Sequence, residues 1–338
     1  MPLAPGLEVQ FANREQALKR MEEWAERGMV KVQVVFGPEG CGKTAWLRQS
    51  AVLLRELGFH VIYVDPLRKY FEAYTDVKEV VKKLAEAAAE ALGIAEIKLA
   101  SLVIDLADEL IRQRKKKVAI LADDVFQAIG LNEAAKYVKA LLGIIEYPPA
   151  SYERVIAVVA TSEGITRREI GRHRWADLSP MWNMPKEGFK ELYDQLPGGK
   201  PPFEEVWRVT GGNPKLLGEL YEARWDVEEV VRRLMRQKEL APDFVAKWRP
   251  WLEKAVEDPE ALWSAEAPKE VREELIARNL IVYNIYERDL RLWAGEPPPE
   301  RDPELGIGPN VAWQTPLHRE AVRRMLEGTR RLGSSAFK

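Results

Sequence analysis

The chain has 338 residues, more than one ordinary core holds and about right for two or three domains. Its 46% hydrophobic and 31% charged residues exclude a disordered chain, and no apolar run approaches the roughly 18 residues of a membrane span. A net charge of −2 excludes a global pull toward nucleic acid, so any such site has to be a local patch. The opening Met-Pro-Leu-Ala-Pro-Gly-Leu has neither a charged n-region nor an apolar h-region, so no signal peptide is expected. The single cysteine, Cys41, allows no intrachain disulfide and fits a cytoplasmic setting.

Strand and helix patterns alternate through the first half. Val30–Phe36 is a valine-rich strand candidate followed at once by glycine. Thr44–Leu57 reads as a helix with Leu47, Ala51 and Leu54 on one stripe. Further strands are predicted at Val61–Asp65, Val118–Ala122 and Val155–Ala160, and helices at Asp76–Leu92, Leu99–Lys115 and Leu131–Glu146. Apolar strands separated by helices indicate an α/β fold with a parallel sheet buried on both faces, spanning residues 1–184. From Pro185 helices take over, at Lys186–Leu196, Pro202–Val209 and Pro214–Ala223, and residues 185–240 are expected to form a helical lid. Helices near Asp243–Glu257 and Lys269–Arg278 then precede two extended pieces, Leu280–Tyr286 and Leu290–Trp293. A Pro/Gly-rich loop from Gly295 to Pro309 leads to a final helix near Leu317–Arg331. Helix, helix, hairpin is the order of a winged-helix module, assigned to residues 241–338.

Gly37-Pro38-Glu39-Gly40-Cys41-Gly42-Lys43-Thr44 matches G-x-x-x-x-G-K-[ST] in full, with an apolar strand before it and a helix after it. Glycines at 37, 40 and 42 let the backbone take angles closed to other residues, so that N–H groups point at a phosphate. The helix opening at Lys43, with Thr44 and Ala45 in its first turn, adds its positive end. Lys43 supplies a mobile charge for the β- and γ-phosphates, and the Thr44 hydroxyl is a hard ligand for Mg²⁺. The pattern predicts binding of ATP or ADP with Mg²⁺. Cys41 stands at a variable position and reads as loop filler.

Val118-Ala-Ile-Leu-Ala-Asp123-Asp124 has the form of a Walker B strand. Asp123 is expected to hold a Mg²⁺-bound water and Asp124 to orient the attacking water as a base. The alternative is a carboxylate capping the next helix. Thr161 ends the fourth strand, where its hydroxyl can meet the γ-phosphate or cap the following helix. Past it lie Arg167, Arg168, Arg172 and Arg174; Arg172 is the preferred finger for charge on the transferred phosphoryl group. No Asn-Lys-x-Asp guanine-reading motif is present, which argues against a GTPase.

Phe11-Ala-Asn-Arg14-Glu15 stands shortly before the phosphate loop, and Thr210-Gly211-Gly212-Asn213-Pro214 opens a late helix. In that order, with the two motifs above and the winged-helix-like tail, the chain resembles archaeal ATPases of the STAND branch within the AAA+-like P-loop proteins. The resemblance implies a P-loop NTPase sheet of the ASCE type in the order 5-1-4-3-2. It also implies that Phe11, Asn13 and Arg14 lie near adenine and that Pro214 packs on the base; the alternative for Pro214 is an ordinary early helical proline. Asp124 stands where many AAA+ motors have Glu, which implies slow hydrolysis.

These readings converge on a Mg²⁺-dependent ATPase acting as a nucleotide-driven switch. The alternatives are a DNA-binding ATPase of the replication-initiator or repair kind and a nucleotide-binding scaffold without useful turnover. The tail leaves a DNA or protein partner open, and a nucleotide-dependent oligomer is compatible with the class. In Lys269–Arg278 acidic and basic residues cancel, which is poor for phosphate contact, whereas the final helix carries Arg319, Arg323, Arg324, Arg330 and Arg331.

Overall fold

The computed structural model describes residues 2–10, 14–90, 96–162 and 164–335. By their contacts these form two units, residues 14–36 with 43–181, and residues 2–10 and 37–42 with 182–335. No described helix is long and apolar enough to cross a membrane.

The chain opens with a small antiparallel ribbon, β1 (Pro2–Ala4) and β2 (Leu7–Glu8), which belongs to the second unit. The first unit starts with α1 (Glu15–Arg27), β3 (Val32–Phe36) and α2 (Lys43–Glu56). It continues through β4 (His60–Asp65), β5 (Tyr70–Tyr74), α3 (Lys78–Glu90) and α4 (Glu96–Arg112). Next come β6 (Lys117–Asp123), α5 (Val125–Ile129) and α6 (Leu131–Glu146). It closes with β7 (Arg154–Thr161), α7 (Gly164–Gly171) and β8 (Ala176–Pro180).

The six strands make one sheet in the order β5-β4-β6-β7-β3-β8, with β5 antiparallel to β4 and every other pair parallel. Counted along the chain, the five parallel strands stand in the order 5-1-4-3-2, as the resemblance implied. Val118–Ala122 and Ile156–Ala160 are fully buried, so both sheet faces are covered, and this is why these runs are apolar without alternation. The helices α1 and α2 pack on each other, as do α4 and α6, and all four meet the central strands.

Two strands of this sheet escaped the sequence reading. β8 is short and contains Asp177 and Ser179, so it lacks an apolar signature. β5 is an edge strand whose residues are all half-buried. Arginines of α2 cover its aromatics, with Arg48 lying 4.6 Å from the Tyr70 ring centre and Arg55 4.2 Å from that of Tyr74.

The second unit continues with α8 (Lys186–Asp194), α9 (Phe203–Thr210), α10 (Pro214–Glu222), α11 (Val227–Gln237) and α12 (Pro242–Glu257). It ends with α13 (Lys269–Ala277), β9 (Ile281–Tyr283), β10 (Val311–Trp313) and α14 (Pro316–Ser335). The second extended piece expected at Leu290–Trp293 is instead a 3-10 turn over Leu290–Leu292. The Asp289 carboxylate accepts the Arg291 N–H and pairs with its guanidinium, which favours a local turn over a ladder. The strand that pairs with β9 is β10, with Trp313 opposite Ile281. One core runs through Leu216, Val230, Leu252, Leu275, Trp313 and Val322, joining α10 to α14.

Trp313 is fully buried in that core, and its indole N–H donates to the Ala255 carbonyl at 3.0 Å. Trp313→Ala should lower the stability of this unit by about 3–5 kcal/mol, read as a fall in its denaturant midpoint.

Candidate functional site

The carboxyl ends of the parallel strands gather the polar groups of the first unit. β6 delivers Asp123, 1% exposed, and β4 ends in the fully buried Asp65. Val64 pairs with Ala122, which sets these two aspartates side by side on neighbouring strands. Thr161 ends β7, is fully buried and pairs with Phe36, the last residue before the glycine-rich loop.

Lys43 and Thr44 open α2, followed by Ala45. The Thr44 hydroxyl donates a hydrogen bond to the Asp123 carboxylate, and the Tyr63 hydroxyl donates to Asp123 Oδ2 at 3.2 Å. Burial, and then the charge of Asp124, push the Asp123 carboxyl above the usual carboxylate range; the Thr44 bond and Arg68 act the other way. Burial and the nearby Asp123 push the Tyr63 phenol well above its ordinary value, which keeps it a donor.

Asp124 is nearly buried and holds a left-handed backbone conformation, φ 48° and ψ 23°. That conformation costs a residue with a Cβ on the order of 1 kcal/mol. Its N–H donates to the Ala160 carbonyl at 3.0 Å, which fixes the turn. Asp124 occupies the cap position of α5, yet its side chain makes no capping bond there. A hydroxyl and a carboxylate within hydrogen-bonding reach form a hard-oxygen pair, and this donor set suits Mg²⁺.

The glycine-rich loop, Gly37–Gly42, packs with the second unit. Gly40 and Gly42 have φ of +76° and +105°, as the sequence required; Gly37 has no positive φ, so its small size rather than its freedom suits it to the loop. A Cβ on Gly40 would lie 2.3 Å from the Lys215 Cβ. Cys41 is buried, and its N–H donates to the Pro38 carbonyl at 3.2 Å.

Glu39 ties the loop down. Its N–H donates to Gln314 Oε1 at 2.9 Å, and its carbonyl accepts from Asn213 Nδ2 at 2.9 Å. Its carboxylate takes Lys215 Nζ at 2.5 Å and Lys238 Nζ at 2.8 Å. Burial alone would raise the Glu39 carboxyl, but the two ammonium groups outweigh it and hold it down at about 2. Asn213 also caps α10 by accepting the Leu216 N–H and donates to Asn183 Oδ1 at 2.8 Å. The glycines before it are equally constrained: a Cβ on Gly212 would lie 2.2 Å from the Met184 carbonyl oxygen.

The remaining predicted residues divide. Pro214 is buried at the first position of α10, the geometry of an ordinary capped helix start. Arg14 is buried at the cap position of α1. Phe11 and Asn13 lie outside the described residues. Arg172 sits at the surface beside Glu169, 3.2 Å away. The arginine beside the carboxylates is Arg68, with Nη1 2.7 Å from Asp65 and 3.6 Å from both Asp123 and Asp124. The sequence reading missed Tyr63, Asp65 and Arg68, although Asp65 ends an apolar strand just as Asp123 does.

Residues 11–220 match the family described as an ATPase domain predominantly from Archaea. No curated protein matches the chain. Among solved structures, the chain is similar to the ORC2 protein of Aeropyrum pernix, solved as ADPNP–ADP complexes. Identity is 12%, with 97% of this chain and 98% of that one covered and a TM-score of 0.43. It is also similar to Cdc6p from Pyrobaculum aerophilum, at 14% identity, with 96% and 97% covered and a TM-score of 0.41.

A carboxylate held below its ordinary value of 4.5 contributes stability above that pH and loses it as the pH falls toward about 2. Glu39→Gln should therefore be less stable than the unaltered protein at neutral pH. The difference should shrink between pH 4.5 and about 2, read from denaturant midpoints across that range.

Proposed function

Because the chain belongs to the family of ATPase domains found predominantly in Archaea, we propose that it is a Mg²⁺-dependent ATPase working as a slow nucleotide-driven switch. The observation that carries this reading is the Thr44 hydroxyl bonded to the buried Asp123 carboxylate. When bound, Mg²⁺ would neutralise charge on the transferred phosphoryl group, with Thr44 and Asp123 as its protein-side oxygens. The loop amides and Lys43 hold the phosphates, Asp124 orients a water, and the Thr161 hydroxyl completes the strand-end ring. Aspartate is shorter than glutamate, and this supports slow rather than vigorous turnover. The adenine contacts of Phe11, Asn13, Arg14 and Pro214, and a role for Arg172 toward the phosphoryl group, belong to the same proposal.

The switch rests on Glu39. A loop that binds phosphate through its backbone is here tied by one side chain to Lys215 and Lys238. Occupancy of the loop and the arrangement of the proposed lid, residues 185–240, and winged-helix-like tail, residues 241–338, are then linked.

A protein partner fits the tail better than DNA. Lys269 pairs with Glu273, Arg278 with Glu274, Arg323 with Glu320, and Arg324 with Glu228 and Glu320. Cations already paired release few phosphate counterions, which supports a partner surface rather than a DNA track. A gel-shift titration against salt should give no steep loss of duplex affinity; a steep, sequence-specific response would favour the replication-initiator reading.

Steady-state phosphate release tests the chemistry. Asp123→Asn should reduce Mg²⁺-dependent turnover by about 100-fold or more, and Asp124→Asn by at least about 10-fold. Equal rates for Asp124→Asn and the unaltered protein would remove the base, and no turnover in any of them would leave a scaffold.

A further inference from the structure

Three carboxylates meet where β4 and β6 end, and one guanidinium answers all of them. Asp65 holds Arg68 twice: Oδ1 accepts the Arg68 backbone N–H at 3.0 Å, and Oδ2 accepts Nη1 at 2.7 Å. The tight turn Pro66–Lys69, closed by the Lys69 N–H on the Pro66 carbonyl, folds the side chain back toward the strand ends. From that tether Nη1 reaches Asp123 Oδ2 and Asp124 Oδ2, each at 3.6 Å. Those two separations are too long for hydrogen bonds and give attraction without a directional lock. The side chain is 51% exposed, so it has room to swing, whereas Asp65 and Asp123 are buried and do not.

We infer that Arg68 is a built-in counter-cation: tethered on Asp65, it neutralises Asp123 and Asp124 and competes with the divalent cation for them. Arg68 is a positioning residue. It holds two neighbouring carboxylates in place by attraction while no metal is bound, and it yields when the metal arrives with nucleotide. Asp65 keeps the displaced guanidinium beside the strand ends. Two cations of total charge +3 cannot share the Asp123 carboxylate at close range without mutual repulsion, so metal uptake includes the displacement of Arg68. The inference rests on the assignment of Asp123 as metal ligand, and the two can fail separately.

The test is a Mn²⁺ titration of the nucleotide-free full chain, read by the electron paramagnetic resonance signal of free Mn²⁺. Arg68→Gln should bind Mn²⁺ about ten-fold or more tightly than the unaltered protein, because one positive charge a few ångströms from the ion is gone. Arg68→Lys, which keeps the charge, should stay within about three-fold of the unaltered protein. Mn²⁺ affinity that is equal or weaker in Arg68→Gln overturns the inference, provided Asp123→Asn weakens Mn²⁺ binding. If Asp123→Asn leaves Mn²⁺ binding unchanged, the metal assignment itself falls and takes the inference with it. Thermal unfolding supplies a second readout: Mn²⁺ should raise the midpoint of Arg68→Gln more than that of the unaltered protein, and an equal rise contradicts competition.

Discussion

A carboxylate buried at the end of a wholly apolar strand is the constraint on which the first unit is built. Asp123 is 1% exposed and follows five residues that are fully buried. Leaving such a group unpaired would cost several kcal/mol, so its neighbours are recruited to it: the Thr44 and Tyr63 hydroxyls, and the Arg68 guanidinium. The strand order brings these partners from α2, β4 and the turn after β4, one stretch of the chain that lies well before Asp123 in sequence. The apolar strand that makes the fold thus also makes the electrostatic problem that these neighbours answer.

In the second unit the same logic runs through Glu39. A glutamate inside a glycine-rich loop would by itself repel a phosphate. Here Lys215 and Lys238 neutralise it, and Asn213 and Gln314 hold its backbone on either side. The loop is therefore braced from three stretches of later sequence. His318 lies under this cluster, fully buried; burial first, and then Lys238, hold its imidazole down at about 3, so it stays neutral through the physiological range.

Much of this was legible in the amino-acid sequence because the relevant signals are local. The motif Gly37–Thr44, the apolar run before Asp123 and the helices between strands each depend on spacing within about ten residues. The contacts that were not legible depend on tertiary pairing. Arg68 looks like any surface arginine until β4 and β6 lie side by side. Asn213 reads as a simple cap in Gly-Gly-Asn-Pro, yet its amide also holds the Glu39 carbonyl, 174 residues away. In the six-stranded sheet β5 and β8 were missed because an edge strand with half-buried residues, and a short strand carrying Asp177 and Ser179, lack the apolar run that marks its other strands. Where an extended piece is expected at Leu290–Trp293, Asp289 turns the chain locally over Leu290–Leu292.

Calorimetric titration of Mg²⁺–ATP into the unaltered protein and Lys43→Ala tests the central claim most directly. The account predicts that removing this one ammonium group weakens binding by about 100-fold, with folding intact by circular dichroism. Equal affinity in the two proteins would contradict it, because the loop would then not be where the phosphates are held.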